Sequence, residues 1–316
     1  MPCFSRSCET EEAIFFPDEG HTGLSQIIEL IKSAKNTLDV AVFSISHKDL
    51  AAALVDAQKC GVHVRVLTDD VQAKHQDSCV KMLKKAGIQF RMDSNEKMHM
   101  HHKFMVVDGS TLMSGSLNWT HAAVERGNEN VVISKNQDLC EDFTSEFDRL
   151  WKQFVKKQSD LAPAGCFKGN VASLFFPSVN GNNAQIIHHE LEMARDSIDV
   201  AVFTLTLDSL VDILIRKHKA GLRVRVITDN RQANVRGADA QRLKDTGVPV
   251  RTDRSFYAMH HKFAIIDGTT LINGSFNWTA QASHGNQENV VIFRNYRHLA
   301  GEFLSEFQHL WDTFKP

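Results

Sequence analysis

Apolar residues recur at helical spacing through Leu24, Ile27, Ile28, Ile31 and Ala34, and the chain then changes to the β-branched run TLDVAVFSI. The first pattern is one face of an amphipathic helix, and the second reads as a buried strand. A helix over about 48–60 follows, then the strand VHVRVLTD, a helix over about 76–86 ending before Gly87, and the short strand IQFRM. A strand pair runs through HHKF and TLMSG, and the unit closes on an amphipathic helix carrying Phe143, Phe147, Leu150 and Trp151. Strands alternating with helices predict an α/β fold whose sheet is covered on both faces.

The same pattern is then written again. Phe15-Phe16-Pro17 returns as Phe175-Phe176-Pro177, LDVAVF (38–43) as IDVAVF (198–203), and VRVLTD (64–69) as VRVITD (224–229). The segments HHKFMVVDGSTLMSGSLNWT (101–120) and HHKFAIIDGTTLINGSFNWT (260–279) share 13 of 20 residues. So long a period marks a duplicated domain and not a short-period solenoid. The expected layout is an N-terminal extension over 1–14, one domain over 15–157, a linker over 158–173 and a second domain over 174–316. In the linker, small and polar residues with Pro163, Gly165 and Gly169 interrupt both periodicities. Two such domains in one chain predict pseudo-twofold packing.

The most specific pattern lies inside the repeated segment, as His-x-Lys, four residues, Asp, six residues, Gly-Ser-x-Asn. In the first copy it is His101, Lys103, Asp108, Gly115, Ser116 and Asn118; in the second it is His260, Lys262, Asp267, Gly274, Ser275 and Asn277. On a strand His101 and Lys103 point one way while His102 and Phe104 point the other. Ser116 and Asn118 share the same two-residue spacing and converge with them if the strands pair. An imidazole, an ammonium, a hydroxyl and a carboxamide at one point suit a phosphate.

Composition narrows the partner without choosing it. The 316 residues carry 36 Lys and Arg against 38 Asp and Glu, a formal net charge of −2, which excludes a globally basic coat but not a local basic groove. Six cysteines at 3, 8, 60, 79, 140 and 166 form no CxxC pair, so a reducing compartment is expected, and Cys3, Cys8 and His21 lack metal-site spacing. No targeting segment and no apolar run of roughly 20 residues is visible. These features predict a soluble, cytoplasmic protein.

Both motif segments resemble the HKD motif of the phospholipase D superfamily. With E-N-V-V (129–132 and 288–291) following GS-x-NWT, they are most similar to the branch that holds mitochondrial cardiolipin hydrolase and the Zucchini endonuclease. The likeness covers about 15–155 and 175–314. It implies two tandem phospholipase D-like α/β/α domains whose two motifs meet at one active site. It further implies a phosphohistidine mechanism with no metal and no cofactor, in which one His attacks phosphorus and the other protonates the leaving oxygen.

Carried over by position, His101 and His260 are this pair, and Lys103, Lys262, Asn118 and Asn277 bind phosphoryl oxygens with Ser116 and Ser275 beside them. Glu129 and Glu288 match the family's acidic residue that orients a His, while Asp108 and Asp267, like Gly115 and Gly274, are expected to be structural. The mitochondrial members' N-terminal anchor has no visible counterpart, and fusion of the copies predicts an active monomer with no obligatory protein partner. His101 is the expected nucleophile by analogy.

Other residues carry plainer expectations. His102, His261, Trp119, Trp278, Trp151 and Trp311 are expected in the core. The stretches 71–97 and 231–254 have a positive excess that fits a solvated helix face and a phosphate-tracking groove equally well. Loops over 93–100 and 253–259, with Met98, Met100, Phe256, Tyr257 and Met259, form either a small apolar rim or a base-stacking surface. The expected function is phosphodiester hydrolysis, with single-stranded nucleic acid ahead of a phospholipid headgroup such as that of cardiolipin. A binding module without catalysis is disfavoured because both motifs are intact.

Overall fold

The computed structural model of the chain describes residues 11–18, 20–156, 160–235 and 237–315, with the side chain of residue 156 left out. Cys3, Cys8, Arg236 and most of the N-terminal extension lie outside the described residues, as do 158 and 159 of the expected linker. The first repeat runs β1 (Glu12–Phe16), α1 (Thr22–Lys32), β2 (Thr37–Val42), α2 (Lys48–Lys59), β3 (His63–Thr68), α3 (Asp70–Lys74), α4 (Val80–Lys85), β4 (Gln89–Met92), β5 (Lys103–Val107), β6 (Thr111–Gly115), α5 (His121–Glu125), β7 (Glu129–Ser134) and α6 (Gln137–Lys156). The second runs β8 (Phe167–Lys168), β9 (Val171–Phe176), α7 (Asn182–Glu192), β10 (Ser197–Val202), α8 (Asp208–Lys219), β11 (Arg223–Thr228), α9 (Ala240–Asp245), β12 (Val250–Thr252), β13 (Lys262–Ile266), β14 (Thr270–Gly274), α10 (Ala280–His284), β15 (Glu288–Phe293) and α11 (Arg297–Thr313).

Each repeat builds one mixed sheet, in the order β1-β7-β6-β5-β2-β3-β4 and, equivalently, β8-β9-β15-β14-β13-β10-β11-β12. Within each, three strands are parallel, β2 with β3 and β4, and β10 with β11 and β12; the others pair antiparallel. The α/β architecture in two packed copies is as the periodicity predicts, with two differences. The strands β1 and β7, and their counterparts β9 and β15, lie beyond the expected set; β7 and β15 each open on a buried Glu-Asn pair that interrupts the apolar run. The helix expected over 76–86 is only Val80–Lys85, and a separate turn of helix at Asp70 is started by Asp69, whose carboxylate accepts from the backbone N–H of Val71 and Gln72.

Three apolar cores result, and one belongs to both repeats. It joins Phe104, Phe143 and Phe147 to Phe175, Phe263, Phe303 and Phe307. Helix α6 packs on β9 of the second repeat and α11 on β1 of the first, so each C-terminal helix covers an edge region of the other copy. Phe143 meets Phe175 edge-on at 5.0 Å, and Phe303 meets Phe15 at 5.0 Å. Burying a Phe contributes roughly 1.5–3 kcal/mol, so this shared core holds the two sheets as one body. Trp119 and Trp278 are buried in the cores of their own repeats and Trp151 in the shared one, while Trp311 is only partly buried against it.

Candidate active site

The strand carrying each motif starts at its lysine, Lys103 or Lys262, so both histidines precede a strand and are not within one. Their position comes from the other repeat. Gln287 N–H donates to the His99 carbonyl (2.8 Å) and His101 N–H to the Gln287 carbonyl (2.9 Å). In mirror fashion, Asn128 N–H donates to Ala258 and His260 N–H to Asn128, both at 2.9 Å. These short parallel bridges, Met100 with Gln287 and Met259 with Asn128, bury both methionines. The rim expected from Met98, Met100, Phe256, Tyr257 and Met259 is therefore smaller: Met100 and Met259 are inside, and Met98, Phe256 and Tyr257 are exposed.

The bridges set each glutamate against the histidine of the opposite repeat. His101 Nδ1 lies 2.8 Å from Glu288, and His260 Nδ1 lies 2.9 Å from Glu129. Both carboxylates are buried. With Nδ1 facing a carboxylate in both, hydrogen-bonded at His101, Nε2 is the ring nitrogen left for chemistry. Lys103 Nζ donates to the His101 carbonyl (2.6 Å) and Lys262 Nζ to the His260 carbonyl. Phe43 packs edge-on against His101 at 4.9 Å and Phe203 against His260 at 4.8 Å, fixing both rings from the side.

The remaining motif residues divide by position. Ser116 and Ser275 are fully buried, and their hydroxyls accept from the N–H of Asn130 and Asn289; Ser275 also donates to Glu288 at 2.6 Å. Asn118 and Asn277 are partly exposed, each with a buried amide oxygen that has no hydrogen-bond partner among the described residues. Asp108 and Asp267 sit at the far end of β5 and β13 in left-handed conformation, φ 49° and 51°. Asp108 accepts from the N–H of Lys35, Asn36 and Thr37, and Asp267 from those of Arg195, Asp196 and Ser197, clamping a helix-to-strand turn. A Cβ on Gly115 would sit 2.2 Å from the Asn130 carbonyl, and one on Gly274 2.2 Å from that of Asn289. Gly115→Ala is expected to destabilise the fold by about 1–3 kcal/mol, read as a lower urea midpoint with an unchanged slope.

His102 and His261 face the seam between repeats. Each is fully buried, with Nδ1 on the amide of Asn289 (3.0 Å) or Asn130 (2.8 Å) and Nε2 toward Glu146 or Glu306. Sequence reasoning leaves out Asn130, Asn289, Phe43 and Phe203, although each recurs at the repeat spacing inside ENVV and VAVF.

Burial dominates the electrostatics. It pushes His101 well below the ordinary imidazole value, helped by Lys103, Lys262 and His260, and lowers His260 against the opposing pull of Glu129. Burial also brings Lys103 down to about 7 and Lys262 down to about 8. It raises Glu288 to about 7 against Lys103, Ser275 and Asn286. Although His101 and Glu288 are close enough for an ion pair, both shifts favour their neutral forms. The result is a neutral His101 beside two lysines that burial also draws toward their neutral forms, against the pull of Glu129 and Glu288.

Much of the positive excess before each motif serves the fold. Lys74 pairs with Asp70 and Glu96, Arg242 with Asp208, Asp212 and Asp239, and Arg91 and Arg251 donate to the carbonyls of Trp151 and Trp311. Three carboxylates outside the motifs, those of Asp69, Asp70 and Asp93, converge within 4.8 Å. They hold the chain locally: Asp69 starts α3, and Asp93 accepts from Asp70 N–H at 2.8 Å. Asn230 stands for Asp70 in the second repeat.

A family model described as "Cardiolipin synthase, PLD-like domain" matches the chain twice, over 27–151 and 187–311. The chain belongs to the phospholipase D superfamily. Within it the resemblance is to the cardiolipin hydrolase branch. The mitochondrial cardiolipin hydrolase of Chlamydomonas reinhardtii is 36% identical over 55% of this chain and 89% of its own length. The human protein of that name is 38% identical over 48% of this chain and 60% of its own. The chain thus spans nearly all of the algal relative and about three-fifths of the human one. The phosphatidylserine synthase of Haemophilus influenzae superimposes with a TM-score of 0.72 at 15% identity, covering 96% of this chain and 86% of that one, which shows the two-repeat phospholipase D fold. No helix among the described residues is long and apolar enough to cross a membrane.

Proposed function

We propose that this phospholipase D family member hydrolyses phosphodiesters at one composite site, through a covalent intermediate on His101. The observation that carries the reading is the crossed bracing of two imidazoles, His101 by Glu288 and His260 by Glu129. His101 Nε2 attacks phosphorus with its lone pair, the P–O bond to the leaving group breaks, and His260, entering as the imidazolium that Glu129 supports against burial, protonates the departing oxygen from Nε2–H. Water then attacks phosphorus, giving its proton to His260, and the P–N bond breaks to restore His101. Lys103, Lys262, Asn118 and Asn277 hold the non-bridging oxygens. We assign His101 as the nucleophile because burial and neighbouring cations keep it neutral, whereas Glu129 opposes that shift at His260.

Single-stranded nucleic acid is the substrate we favour. Phe256 is 77% exposed with the Arg231 guanidinium 4.6 Å over its ring, and exposed Tyr257 carries Arg126 at 5.6 Å. Aromatic faces with arginine beside them are what stacking on unpaired bases requires. Hydrolysis of cardiolipin is the second reading, favoured by the names of the relatives. The test offers single-stranded RNA, single-stranded DNA, duplex DNA and cardiolipin liposomes in parallel, in EDTA, with His101→Ala as control. We expect His-dependent cleavage of single strands over duplex. Phosphatidic acid release without strand cleavage would promote the second reading, and loss of all activity in EDTA with recovery in Mg²⁺ would sink the mechanism.

A pH profile follows from the lysines. Both are lowered, Lys103 to about 7 and Lys262 to about 8, so both lose their charge as pH rises through that range. Because kcat/KM reports the free enzyme, it is expected to fall from pH 7 to 9. A plateau extending to pH 10 would contradict it.

A further inference from the structure

The two motif segments agree at His101 and His260 and at Lys103 and Lys262, but differ two residues earlier, where the first repeat has His99 and the second Ala258. In an extended segment, residues i, i+2 and i+4 share a face, about 6.6 Å from one to the next. His99 therefore continues the line of His101 and Lys103. Phe43 contacts both imidazoles, edge-on at 5.4 Å from His99 and 4.9 Å from His101.

His99 is also set up to carry charge. Its Nδ1 lies 3.1 Å from Asp69 Oδ2, its backbone N–H donates to the Asn286 amide oxygen at 3.1 Å, and its side chain is 33% exposed. Nε2 makes no hydrogen bond among the described residues. The bond to Asp69 raises its pKa, with help from Asp93 and Glu288 and against burial. In the second repeat the corresponding carboxylate, Asp229, is present and accepts from Met259 N–H at 3.3 Å, so only the imidazole is missing.

We infer that His99 is a substrate-binding residue whose Nε2–H donates to a second phosphate, one step along the substrate from the one attacked. This rests on the phosphodiester reading above. A nucleic-acid strand has a phosphate on both sides of the scissile one, and only the side of the first repeat meets an imidazole. The pseudo-symmetric site therefore reads the strand in one direction.

The test is binding and turnover with His99→Ala, which places at 99 the residue that the other repeat already accommodates at 258. Calorimetry compares thymidine 3′,5′-bisphosphate with the 3′- and 5′-monophosphates. Wild type is expected to bind the bisphosphate about tenfold more tightly than the better monophosphate, the scale of one charge-assisted hydrogen bond, and His99→Ala to reduce that margin below about twofold. In turnover, wild type should prefer a thymidine dinucleotide phosphorylated at one end over the unphosphorylated dinucleotide. His99→Ala should lose that preference, and His99→Ala with Ala258→His should transfer it to the other end. A margin retained in His99→Ala, or an equal loss with all three nucleotides, overturns the inference. Wild type that shows the binding margin but cleaves no dinucleotide would sink the hydrolysis reading alone; wild type that cleaves with no end preference and no margin would sink this inference alone.

Discussion

Replacing either His101 or His260 by alanine is expected to lower kcat by at least about 10³-fold, because groups that act as one unit are not additive. The two losses should be alike although the residues lie in different repeats. The reason is structural: both imidazoles are buried, each is braced from the opposite repeat, and one lysine of the buried pair sits beside each. The double variant should be little worse than either single one. Steady-state turnover on a single-stranded oligonucleotide measures this, with circular dichroism confirming that the variants fold. Near-normal turnover in His260→Ala would show that the first repeat works alone.

The second large effect concerns the glutamates, and the group it disables depends on which histidine each one serves. Glu288→Gln is expected to cost about 10²-fold in kcat, and the damaged step should be attack by His101, the histidine of the other repeat. A glutamine at 288 can present N–H to Nδ1, which moves the ring proton to Nε2 and removes the lone pair that attacks phosphorus. Glu129→Gln should instead weaken the acid, His260. Rapid-quench kinetics across a series of leaving groups separate the two, since Glu288→Gln slows formation of the phosphoenzyme with every leaving group, whereas Glu129→Gln slows it most with poor ones. The reverse assignment would mean that glutamates act within their own repeat.

The sequence makes the chemistry legible and hides the geometry that organises it. The repeated spacing from His101 to Asn118 and from His260 to Asn277 is dense enough to name the residues that meet, and alternation places His102 and Phe104 opposite His101 and Lys103. Periodicity also finds the central strands, because LDVAVF and VRVLTD are rich in β-branched residues and largely buried. It does not find EAIFF or ENVVIS, which form β1 and β7, the latter opening on a buried Glu-Asn pair that interrupts the apolar run. Nor can it show which glutamate serves which histidine. Glu288 is 187 residues from His101, and the exchange depends on the backbone bridges made by Gln287 and Asn128. The same bridges bury Met100 and Met259, which local sequence alone places on an exposed loop.

The most direct measurement of the central claim, one composite site in each chain, is the stoichiometry of the trapped phosphoenzyme together with a mixing test. Single-turnover reactions quenched in alkaline denaturant, where the P–N bond survives, should trap one phosphoryl group per 316-residue chain, mapped by mass spectrometry to His101. Mixing equal amounts of His101→Ala and His260→Ala should restore no activity, because both histidines of a site belong to the same chain. Two phosphoryl groups per chain, or recovery of activity on mixing, would contradict the account.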